Sequence, residues 1–177
     1  MKNNRNLLRF VVLSAILLIA AAGASGQSQW DIGLNVPYYA GIQTDSGDLG
    51  TFSEYLFLLP DVRWNYYFGS EAIHFGAGLR LWTLVLESAL YPIISVESYL
   101  GDFVLNANFG GGAFLFFGLY NHVDFGAVFL PEVSVAYRLG KKKRFSLGTG
   151  VLFLIAPEVG DLDEFAFIGT GFARWTF

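Results

Sequence analysis

Three features of the sequence predict an all-β fold, an eight-stranded antiparallel up-and-down transmembrane β-barrel preceded by a cleaved signal peptide. The composition is aromatic and poor in charge, with eighteen Phe, nine Tyr and four Trp, and only 15% charged residues, where a soluble domain carries about 25%. Apolar residues recur with the period of two that marks a strand, and the charged ones collect on the opposite parity. Beyond the N-terminal segment, residues 103–123 are the one stretch uncharged for a helix's length. They include Asn106, Asn108 and the run Gly110-Gly111-Gly112, poor material for a helix in lipid. Strands, not helices, are therefore expected to cross the membrane.

The chain opens with Lys2, Arg5 and Arg9, continues through thirteen uncharged residues from Phe10 to Ala22, and then offers the small-x-small site Ala22-Gly23-Ala24. That is the order of a secretory signal peptide, and thirteen residues are short of the ~20 a helix needs to span a bilayer. Cleavage is expected after Ala24, with Gly26 as second choice, which makes 1–24 the signal peptide and 25–177 the barrel domain. The chain has no cysteine, which excludes both a lipid-modified N-terminus and disulfides.

Eight strands are expected, at 30–40, 55–68, 73–83, 90–100, 103–115, 128–139, 145–155 and 165–177. Their outward parity reads Trp30, Ile32, Leu34, Val36; Leu56, Leu58, Val62, Trp64, Tyr66; Ile73, Phe75, Ala77, Leu79, Leu81; Ile94, Val96, Leu100; Leu105, Phe109, Leu115; Val133, Val135, Leu139; and Phe145, Leu147, Val151, Phe153, without a charge. The inward parity collects Asp31, Asp61, Arg63, Arg80, Glu97, Glu132, Arg138 and Arg174, with His74, Asn65, Asn106 and Asn108. A lipid-facing wall demands this partition, because an Arg or Lys at mid-bilayer costs ~2–4 kcal/mol. Lipid also leaves no water for an unpaired backbone group, so the strands must close. Strands of ~11 residues leave room for loops if there are eight, and for turns alone if there are ten. Tight connections at 69–72, 101–102 and 140–143 alternate with longer ones at 41–54, 84–89, 116–127 and 156–164. Short turns face the periplasm and long loops the exterior.

Three segments repeat: LPDVRWNYYFG from Leu59, YPIISVESYLG from Tyr91 and LPEVSVAYRLG from Leu130. Because proline removes a ladder donor, Pro60, Pro92 and Pro131 are expected at the outer rim or at a bulge. On the strands between, Gly76, Gly78, Gly110, Gly112, Gly148 and Gly150 face inward, where small residues are expected to make room for the arginines.

The chain ends FIGTGFARWTF, with an aromatic at Phe177 and another at Trp175. This segment resembles the C-terminal strand of bacterial outer-membrane β-barrels, in which those two aromatics are the assembly signal. The resemblance implies that Trp175 and Phe177 engage the barrel-assembly machinery. As architecture the whole mature chain resembles the small porin-like barrels of the OmpA and OmpX type, with the OmpW type, which has a hydrophobic lumen, as a relative. It implies a monomeric multi-pass protein of the bacterial outer membrane, in contact with outer-membrane lipids. Such barrels include structural proteins, adhesins, narrow channels and lipid-modifying enzymes, so architecture does not choose the activity.

The lumen offers two candidate sites. Asp61, Arg63, Arg80, Glu97, Glu132, Arg138 and Arg174 form a charge network, balanced in sign with Asp31. Arginine–carboxylate pairs make forked, charge-assisted hydrogen bonds, so the set reads as a plug, or alternatively as a gate that opens when pairs exchange partners. Above it Phe57, Leu59, Trp82, Tyr91, Ile93 and Phe114, with Leu130 and Leu152, either fill the upper barrel or line an apolar pocket for a small hydrophobic compound.

Enzyme signatures are lacking. The mature chain has only His74 and His122, and neither stands in the H-x-S arrangement of barrel lipid-A deacylases. His122 with Asp124 mimics the acyltransferase site only loosely. No cofactor motif, zinc spacing or nucleic-acid patch occurs. Asp45, Asp48, Glu54, Glu87, Asp124, Glu158, Asp161, Asp163 and Glu164 make the exterior loops acidic, while Lys141, Lys142, Lys143 and Arg144 share one periplasmic turn. Asp161, Asp163 and Glu164 carry oxygen ligands suited to calcium but lack EF-hand spacing, and no metal is expected. The reading is a non-enzymatic barrel in a structural or surface-interaction role. The alternative is passage or binding of small hydrophobic compounds, or a narrow gated channel.

Overall fold

A computed structural model describes residues 26–43, 50–52, 57–70, 72–84, 86–119, 121–125, 128–155 and 165–177. Their extended segments are β1 (Gln27–Gln43), β2 (Gly50–Phe52), β3 (Leu59–Gly69), β4 (Ile73–Leu84), β5 (Glu87–Leu100), β6 (Phe103–Gly111), β7 (Phe114–Gly118), β8 (His122–Asp124), β9 (Phe129–Leu139), β10 (Phe145–Leu154) and β11 (Phe165–Thr176). β2 and β3 pair with one edge of β1, and β6 and β7 with one edge of β5. β11 pairs with both β10 and β1. The result is a closed antiparallel barrel of eight wall strands, with β8 folded back on β7 as a rim hairpin. The expected signal peptide, Leu56 and most of the acidic loop residues lie outside the described residues.

Closure is made by the two ends of the chain. Asp31 stands opposite Thr176 and Gly33 opposite Arg174, and the Phe177 N–H donates to the Trp30 carbonyl at 2.8 Å. Further along the same seam the register shifts between Pro37 and Tyr39. The extra residue, Tyr38, turns outward, and the strand's parity reverses beyond it, so that Gly41 stands opposite Phe167 and is buried against its ring.

The period of two produces the expected wall. None of the described positions on the expected outward parity is buried, while Asp31, Asp61, Arg63, Arg80, Glu97, Glu132 and Arg174 all are. Arg138, near a turn, is half-buried. Pro60 and Pro131 lie at the starts of β3 and β9. Pro92 lies inside β5, at the gap between its pairings with β7 and β6. The missing N–H falls where the partner strand breaks at Gly111 and Gly112, whose φ values of 111° and 78° favour glycine.

Two expectations are corrected. Residues 84–89 are not a long loop. β4 runs to Leu84 and β5 resumes at Glu87, because the ladder continues through Thr83–Ser88 and Leu84–Glu87. Nor do the inward glycines make room for arginine directly. A side chain at Gly76, Gly110 or Gly148 would meet the ring of Tyr67, Tyr91 or Phe172 respectively. An eight-stranded lumen has space for side chains alone, and here aromatic rings fill the space that glycine frees.

Candidate functional site

The lumen is layered. Uppermost is an apolar cluster of Tyr91, Ile93 and Phe114, packed against Phe116, Val128 and Leu130. The Tyr91 and Phe114 rings lie 5.4 Å apart, and Leu59 and Leu152 are buried as well. Trp82 is half-buried, with the Arg80 guanidinium 4.7 Å from its ring centroid. Phe57, placed in this group by its parity, is 45% exposed and outside the strands.

Below the cluster is a ring of four charges. Arg63 and Arg80 stand directly opposite one another on β3 and β4, an arrangement that is repulsive on its own. Asp61, two residues along the same face, accepts from Arg63 Nε at 2.9 Å and from Arg80 Nε at 3.1 Å. Glu132 reaches across from β9 and accepts from Arg63 Nη2 at 3.1 Å and from Arg80 Nη1. The signs alternate around the ring, so each arginine touches both carboxylates. Asn35 Nδ2 completes Asp61 by donating to Oδ1 at 3.0 Å. With Asp61, Arg63 and Arg80 each 2% exposed and Glu132 4%, the ring holds ions that would be costly to leave unpaired.

Glu97, Arg138 and Arg174 do not join this quartet. Glu97 accepts from Tyr67 at 2.8 Å, Tyr99 at 2.6 Å and Asn106 at 2.8 Å, all neutral donors. Asp31 accepts from Thr176 at 2.6 Å and from Gln29. The Arg138 guanidinium lies 4.5 Å from the Tyr99 ring centroid and donates to the Gly101 carbonyl, while Arg174 lies 4.6 Å from the Phe172 centroid. These groups surround a cavity of about 110 Å³ near the short turns. Lys143, on its wall, bonds Asp102 at 2.7 Å and holds that carboxyl below the usual carboxylate range by this hydrogen bond and its charge.

Both histidines pack on aromatic rings. His74 packs edge-on against Tyr99 at 4.9 Å, and His122 is exposed and stacks on Phe116 at 4.7 Å. Asn35, Ser95, Tyr67, Tyr99 and Thr176 take part in the lumen although their uncharged side chains drew no attention in the sequence. Each shares the parity of a recognised charge, Asn35 that of Asp31, Tyr67 that of Asp61, and Ser95 and Tyr99 that of Glu97. Following parity through every polar residue, not through charges alone, finds them.

No protein-family model matches the chain, and no curated protein is a close match. Among solved structures it is similar to Neisserial surface protein A, at 9% identity and a TM-score of 0.48, over 86% of this chain and 99% of that one. It is also similar to Ail, the attachment invasion locus protein of Yersinia pestis, at 12% identity and a TM-score of 0.39, over 86% and 99% of the two chains. The outer membrane protein OprG from Pseudomonas aeruginosa follows at 11% identity and a TM-score of 0.37, over 85% and 95%.

Proposed function

We propose that this chain is an integral, monomeric barrel of the bacterial outer membrane with a sealed lumen, serving a structural or surface-interaction role. The observation that carries the reading is the alternating quartet of Asp61, Arg63, Arg80 and Glu132 closing the barrel beneath the apolar cluster. The uncharged outer wall supports placement in lipid. Because the upper lumen is occupied by its own rings, the sealed reading is preferred to a pocket for small hydrophobic compounds and to a gated channel.

The test is single-channel conductance of refolded protein in a planar bilayer. Wild-type protein is expected to stay silent, and discrete openings in it would overturn the sealed reading.

The assembly signal is tested separately. Trp175 and Phe177 are both exposed on the outer surface, with Trp175 6.0 Å from Phe145. Replacing Phe177→Ser is expected to lower insertion by the assembly machinery and leave unfolded protein in the periplasm. Cell fractionation with heat-modifiable migration on a gel measures it, and unchanged insertion would remove these residues from that role.

A further inference from the structure

We infer that the short turn at 140–144 is a docking site for the phosphate headgroups of anionic glycerophospholipid, in the leaflet that the short turns meet. The site rests on the barrel's placement in lipid and is independent of a sealed lumen.

Charge is divided unevenly between the two ends of the barrel. The connections 41–54, 116–127 and 156–164 hold acids and no Lys or Arg, whereas Lys141, Lys142, Lys143 and Arg144 follow one another in a single turn. All four are exposed. Lys143 is bonded to Asp102 of the neighbouring turn at 2.7 Å, while Lys141, Lys142 and Arg144 form no salt bridge among the described residues. The backbone holds these three cations in place. Gly140, at φ 78°, starts a turn closed by the Lys143 N–H, which donates to the Gly140 carbonyl at 3.1 Å, so Lys141 and Lys142 take its two central positions. The Arg144 carbonyl accepts from the Thr176 N–H at 2.7 Å. None of these backbone bonds uses a side-chain charge.

The height of the turn on the wall selects lipid over the acidic peptides of peptidoglycan. Lys141 stands two residues past Leu139 and Arg144 one residue before Phe145, both on the outward parity. A strand rises ~3.4 Å per residue, which keeps these cations within about 7 Å of the apolar wall along the chain. Aromatic rings gather at the same level, with Phe145 6.0 Å from Trp175, Trp175 6.3 Å from Phe177, and Phe103 5.1 Å from Tyr137. Such rings mark the headgroup region of a bilayer. The ammonium and guanidinium groups therefore lie among the lipid phosphates, inside the ~8–10 Å over which salt leaves their attraction effective. The acidic connections at the far end have no equivalent attraction, so the preference is confined to one leaflet.

The test folds the barrel into phosphatidylcholine nanodiscs, adds phosphatidylglycerol in steps, and follows the backbone NMR signals of residues 140–144. Soluble muropeptides and sn-glycerol 3-phosphate, each added to discs of phosphatidylcholine alone, are the comparison probes. Shifts that saturate with phosphatidylglycerol are expected, and none from either soluble probe. Combining Lys141→Gln, Lys142→Gln and Arg144→Gln is expected to weaken the response about a hundredfold, roughly fivefold for each charge near an anionic leaflet. Heat-modifiable migration should be kept. Should that variant not fold, Lys141→Gln with Lys142→Gln serves in its place, with about a twenty-fivefold loss on the same scale. Lys141→Arg with Lys142→Arg is expected to keep the wild-type response. Shifts that rise linearly with phosphatidylglycerol, an equal response in the glutamine variants, or saturation by a soluble probe would overturn the proposal. Because wild type is first folded in phosphatidylcholine alone, the absence of any shift overturns it too, while leaving placement in lipid intact.

Discussion

Replacing Glu132→Ala is expected to destabilise the folded barrel by about 3–5 kcal/mol, the cost of breaking a buried ion pair from one side. Glu132 is the carboxylate that crosses the lumen from β9 to Arg63 and Arg80. Without it the two arginines, opposite one another in register, keep only Asp61 between them, and one buried positive charge is left uncompensated. Urea titration monitored by heat-modifiable migration measures the loss. The same variant, run in a planar bilayer beside wild type, is expected to admit water at the quartet and show brief discrete openings. Replacing all four members together by leucine and methionine is expected to recover most of the stability, because apolar residues of similar volume substitute for a buried ion network at little cost. A Glu132→Ala barrel as stable as wild type would show that the quartet contributes nothing to holding the wall strands together.

A positive charge on the outer wall is expected to be nearly as damaging, and its effect should depend on depth. Val133 lies between Ala107 and Val151 in the ladder, next to Glu132 at the height of the quartet, and its side chain is 61% exposed on the outer surface. Val133→Arg is expected to cost ~2–4 kcal/mol, and Leu139→Arg, beside the turn at Gly140, ~0–1 kcal/mol, the gradient a bilayer imposes. Refolding equilibria in lipid vesicles check both. Equal costs at the two positions would contradict a barrel spanning the bilayer with its axis along the strands.

The outer wall was legible because lipid enforces one simple rule on alternate residues, and one misplaced charge is enough to break it. Parity therefore separated Val133 and Val135 from Glu132 and Ser134 without any knowledge of neighbours. The same parity put the eight charged residues inside but said nothing about which meets which. It also gave no sign of the bulge at Tyr38, beyond which the faces reverse, and failed at residues 84–89, where backbone pairing continues through what reads as a loop. Phe57 was assigned inward from the strand's period, although regular pairing of β3 begins only at Leu59.

The sequence by itself determined the class of the fold, the approximate strand positions and the division into a lipid face and a lumen face, because these depend on periods of a few residues along one strand. Tertiary structure alone decided that Asp61, Arg63, Arg80 and Glu132 form one ring while Glu97, Arg138 and Arg174 stand apart. It alone decided, too, that aromatic rings occupy the space opposite the glycines. Glu132 and Arg63 are separated by 69 positions, and what brings them together is the stagger between strands on opposite sides of a closed wall. Each strand's height in the barrel depends on the pairing of all the others, and no local pattern encodes that.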